Sequence, residues 1–132
     1  MSKSNLLENA LLDHVLGGGD YSRPATVYIA LYTSAPTDAG GGTEVTGGSY
    51  TRAAVTNNAT NWPAASGGVK SNGVAVAFAQ ATASWGTCVA FGVFDALSGG
   101  NLLYWGMLTV AKPVSNGDTP SFPIGSLQFT ED

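Results

Sequence analysis

Apolar residues recur at Leu6, Leu7, Ala10, Leu11, Val15 and Leu16, the i, i+3, i+4 spacing that lines one face of a helix. The spacing predicts an amphipathic helix over Asn5–Leu16. Asn5 followed by Glu8 resembles a capping box, with Ser4 as the rival cap, and Gly17 to Gly19 supply the left-handed residue that ends such a helix. A helix of this length spans about 18 Å and is marginal in isolation, so its stripe must pack on this domain's sheet or on another subunit. Segment 1–18 is therefore read as an assembly element. Segment 19–132 is read as one β-sandwich domain.

After the glycines the pattern shifts to period two, with β-branched and aromatic residues broken by Gly, Pro, Asn and Ser. Thr26–Thr33 is the clearest strand. Val27, Ile29 and Leu31 alternate with Tyr28, Ala30 and Tyr32, and both faces are apolar enough to be covered, which predicts a central strand or one under the helix. Further strands are predicted at Tyr50–Thr56, Gly73–Gln80, Thr87–Asp95, Leu102–Val110 and Ser126–Thr130. The link Ala96–Asn101 holds Gly99 and Gly100 and predicts an antiparallel hairpin. Ser34–Ser49 and Thr56–Asn72 are long, Gly-rich and without period, and stand as candidate contact arms. Ser115–Ile124, with Pro120 and Pro123, reads as a turn or edge segment. The fold class is mainly β: an antiparallel, jelly-roll-like β-sandwich with one N-terminal α-helix and long Gly-rich loops.

Composition changes the picture at the surface. Charged residues make up 11% of the 132 residues, against about 25% in ordinary soluble proteins. Exposed surface must then be built from Ser, Thr, Asn, Gly and backbone, which is easily desolvated against a neighbour and favours life in an assembly. The net charge of −4 and five scattered cations, Lys3, Arg23, Arg52, Lys70 and Lys112, argue against nucleic acid as a partner, since phosphate binding needs clustered basic residues. No apolar run reaches the roughly 18 residues of a membrane span, and no secretory pattern opens the chain, so a soluble protein without a membrane partner is expected. The lone Cys88 cannot form an intrachain disulfide, which is compatible with synthesis in a bacterial cytoplasm.

Candidate chemistry is sparse. His14 is the only histidine, which removes most base-dependent arrangements, and its place near the helix C-terminus suits a dipole contact. Cys88 lies in a predicted strand as a small hydrophobe. Asp20, Asp38, Glu44, Asp95 and Asp118 fall in or beside turns, where Asp bonds its own backbone. Asp38 and Glu44 lack the EF-hand spacing for calcium, and the Gly runs lack phosphate-loop spacing. No catalytic residue, cofactor or metal ligand is expected. Trp85 and Trp105 read as core. Trp62 sits in a polar loop before Pro63, as an exposed contact or a plug that pins the loop to a neighbour. The subunit-interface candidates are Leu7, Leu11, Val15, Tyr50 and Trp62.

Pro24 to Arg52 (PATVYIALYTSAPTDAGGGTEVTGGSYTR), NNATNWP at Asn57 to Pro63, Thr82 to Thr109 (TASWGTCVAFGVFDALSGGNLLYWGMLT) and SNGDTPSFPIGSLQFT at Ser115 to Thr130 carry a resemblance over nearly the whole chain. Together with LLDHVLGG in the helix, they resemble the small bacteriophage proteins usually labelled tail fibre protein. Cys88 departs from that pattern. The resemblance implies a non-enzymatic virion structural protein on the outer surface of head or tail, a fibre component or a capsid cement or decoration protein. It implies docking on major capsid or tail proteins and a homo-oligomer, with a trimer favoured. The alternative expectation is a carbohydrate-binding module that recognises host surface glycan through Trp62 and loop tyrosines.

Overall fold

The computed structural model describes residues 1–131. Its strands are β1 (Ser2–Lys3), β2 (Thr26–Ser34), β3 (Thr43–Glu44), β4 (Ala53–Thr56), β5 (Val69–Ser71), β6 (Val76–Ala77), β7 (Gly86–Phe94), β8 (Leu102–Val114), β9 (Ser121–Phe122) and β10 (Gln128–Thr130), and the helix is α1 (Asn5–Val15). A six-stranded antiparallel sheet runs β1-β8-β7-β2-β3, with β4 also paired to β2. Two antiparallel ribbons, β5 with β10 and β6 with β9, complete a β-sandwich-like fold.

Strand β2 is central, between β7 and the pair β3 and β4. Its alternation sorts its side chains as the sequence predicts. Val27, Ile29 and Leu31 join a core with Phe91, Val93, Val76, Phe78, Trp62 and Leu127, so the ribbons cover that face. Ala30 and Tyr32 join Ala90, Phe94 and Leu102 on the other. The β7–β8 hairpin is present, with Phe94 opposite Leu102. Its loop is held by Asp95, whose Oδ1 accepts the Asn101 N–H at 2.7 Å.

The helix cap is Ser4 rather than Asn5. Ser4 is extended (φ −70°, ψ 157°), and its Oγ accepts the Leu7 N–H at 3.2 Å. The Ser4 N–H is itself bonded to the Leu103 carbonyl at 2.8 Å, so the sheet fixes where the helix begins. Segment 1–18 is thus tied into the fold, through β1 on β8 and through α1 packed on the same strand. Leu16 closes the helix by donating to the Leu12 carbonyl at 2.8 Å, and Gly17 follows at a positive φ of 133°.

Two predicted strands contract. Gly73–Gln80 keeps only Val76–Ala77 as strand, because the buried Asn72 takes over the neighbouring ladder. Its Nδ2 donates to the Val74 and Pro123 carbonyls, and its Oδ1 accepts the Leu127 N–H at 2.9 Å. Tyr50–Thr56 becomes Ala53–Thr56, since Tyr50 closes a turn on Gly47 and Arg52 points into a polar cluster. The long loops contain short strands, β3 in one and β5 at the end of the other. Gly48 needs its missing side chain: a Cβ there would meet the Trp85 ring at 2.9 Å.

Candidate interface site beneath the helix

The inner face of α1 does not close completely on the sheet. Leu7 is buried and Leu11 half-buried, and both line a cavity of about 370 Å³ with Val27, Val93, Leu103 and Tyr104 from the sheet. Trp62 and Phe129 supply the opposite wall, packed edge to face with ring centroids 5.8 Å apart, and Phe129 meets Tyr104 at 5.1 Å. Apolar side chains dominate such a lining, and a few convergent polar groups set what it accepts. The polar groups of the lining come from Tyr21, Arg23, Asn57, Lys70 and Glu131. Trp62 Nε1 is buried without a hydrogen-bond partner among the described residues. Leaving a donor unpaired in the interior costs about 1–3 kcal/mol. Arg23 and Lys70 stand at the cavity, and neither forms an ion pair among the described residues. The third charged neighbour, Glu131, is engaged by Lys3, and that hydrogen bond raises the Lys3 pKa. Burial, reinforced by Glu131, pushes the Tyr104 phenol up.

A second polar cluster lies among the turns. Glu44 takes the Arg52 guanidinium as a fork, with both contacts at 2.9 Å, and accepts the Tyr50 hydroxyl at 2.7 Å. Arg52 Nη1 donates to the Ala96 and Gly99 carbonyls, each at 2.8 Å, and the guanidinium lies 3.6 Å from the centre of the Phe94 ring. Every strong donor here has an acceptor within the chain, so the cluster locks the β3 loop to the β7–β8 hairpin. Burial and then Glu44 raise the Tyr50 phenol, and burial pushes Tyr32 up to about 12. Both phenols stay neutral at physiological pH.

The interface candidates therefore separate. Leu7 and Leu11 turn toward the chain's own cavity, while Val15 is 74% exposed. Tyr50 is half-buried, and its hydroxyl also accepts the Leu31 N–H at 3.0 Å. Trp62 is only 8% exposed and pins its loop onto its own core through Phe129. With that ring buried, Trp62 does not offer the stacking face that the glycan reading asked of it.

His14 sits in the last turn of α1, where Nδ1 accepts the Tyr21 N–H at 3.1 Å and anchors the chain that follows the glycines. Cys88 is buried, and burial raises its thiol pKa. Trp85 is core and donates to Gly48, whereas Trp105 is half-buried and donates to Asp38 at 2.8 Å. Sequence reasoning missed the cationic side of the cavity: Arg23 and Lys70 are 47 positions apart, and only the fold brings them to one opening.

A family model described as podophage GP4 fiber I protein gp80 matches residues 2–130. No curated protein matches the chain.

Proposed function

The chain belongs to the family of podophage GP4 fiber I protein gp80, a virion structural component, and from that premise we propose that it acts without catalysis, by docking on neighbouring virion subunits as a fibre component of the tail. The near full-length family match carries this reading, since it spans helix, sheet and both ribbons. The surface supports it. Leu12 and Val15 on α1, Leu16 at its C-terminal cap, Met107 and Val110 on β8 and Ile124 near β9 are exposed apolar side chains on a chain with few charges. Apolar area of that kind gains about 25 cal/mol per Å² when a partner covers it. Repetition in a symmetric particle multiplies such contacts by effective concentration, so no single one must be strong. A homo-oligomer, with a trimer favoured, is part of this reading.

Immunogold electron microscopy of intact particles, with antibody against this chain, tests the location. Gold confined to the tail is the expected result. Gold spread over the head would replace the fibre reading with a cement or decoration role, and unlabelled particles would contradict both.

A further inference from the structure

The outer side of α1 carries apolar and acidic side chains, and the cavity beneath it has an apolar lining with two cations. Leu12 and Leu16 lie four residues apart on one face, 60% and 73% exposed, with Val15 beside them. Leu7 and Leu11 lie about 100° to 140° around the helix from Leu12 and line the chain's own cavity, with the exposed Val15, four residues after Leu11, at the edge between the two stripes. A chain therefore cannot seat its own Leu12 and Leu16 in its own cavity. Asp13 is exposed beside this apolar cluster, and Asp20 is 96% exposed in its side chain just beyond the glycines. At the cavity stand Arg23 and Lys70. Lys3 and Arg52 are consumed by ion pairs within the chain, so two of the three remaining cations border this one opening.

We propose that the C-terminal turn of α1 from one copy (Leu12, Val15 and Leu16) seats in the cavity beneath α1 of a second copy, with Asp13 and Asp20 facing Arg23 and Lys70. The occupant is a second copy because this chain carries both complementary halves, and because an acidic chain repels itself except where its free cations gather. The contact is heterologous, head to tail, and closes into a ring when the rotation permits. It rests on the homo-oligomer of the proposed function and gives that oligomer its contact.

Sedimentation velocity on the purified full chain tests it with two variants. Leu12→Lys/Leu16→Lys changes exposed residues, suits the helix C-terminus and repels the cationic rim. Arg23→Glu/Lys70→Glu reverses the rim. The wild type should form a closed oligomer, and each variant should weaken self-association at least about tenfold with an unchanged circular dichroism spectrum. Mixed in equal amounts, the two should form a one-to-one dimer, because one intact contact remains between them. A monomeric wild type, variants that still assemble, or a mixture that stays monomeric would overturn the proposal. Gold on the particles together with a monomeric wild type would remove this contact and leave the fibre reading standing.

Discussion

Glu44 and Asp38 show how single carboxylates fasten a short edge strand and a turn to distant parts of the fold. Glu44 accepts from both Arg52 and Tyr50, and the Arg52 side chain is 7% exposed. Removing one partner of a buried pair leaves the other charge uncompensated, so Glu44→Ala should cost about 3 kcal/mol, read from urea unfolding. Asp38 is held below the usual carboxylate range by hydrogen bonds from Ser2 and Trp105. A carboxyl depressed in the folded state adds stability above its unfolded value of 3.8 and loses it as pH falls through the folded value. Asp38→Asn should therefore be less stable than wild type at pH 7, with the gap narrowing at acid pH, as urea midpoints at the two pH values will report. Both residues read from sequence as ordinary turn carboxylates. Their partners, Trp105 at 67 positions and the Ala96–Gly99 carbonyls beyond Arg52, are set by topology, which local spacing does not encode.

Elements were legible where one period dominates. The alternation of β2 named the side chains of both its faces, and the apolar spacing of α1 gave its span to within one residue. Legibility failed where side chains replace backbone pairing, as at Asn72, or where a neighbouring strand fixes the boundary, as at Ser4. Ser4→Ala removes the acceptor for the Leu7 N–H and should cost about 1 kcal/mol in thermal unfolding. A larger loss would mean that the Ser4 hydroxyl does more than cap. Trp62 was singled out by its loop, but whether its ring faced a neighbour or the core depended on Phe129, far along the chain. Trp62→Phe keeps most of the buried apolar area and deletes the unpaired indole N–H. It should cost clearly less than Trp62→Ala, for which loss of the ring implies about 3–5 kcal/mol.

At the scale of the whole molecule, a charge-poor exterior, exposed apolar side chains and a cavity under the helix are the features on which the proposed docking rests. Composition alone pointed to an assembly, and the motif strings resembled phage tail fibre proteins. The cavity under α1 needed coordinates, since it joins residues from the helix, the β5–β10 ribbon and the sheet. The most direct test of the structural role is removal of this chain from the phage, with electron microscopy of the resulting particles. The account predicts particles that lack one fibre type and regain it when purified wild-type chain is added. Particles with every fibre in place would contradict it.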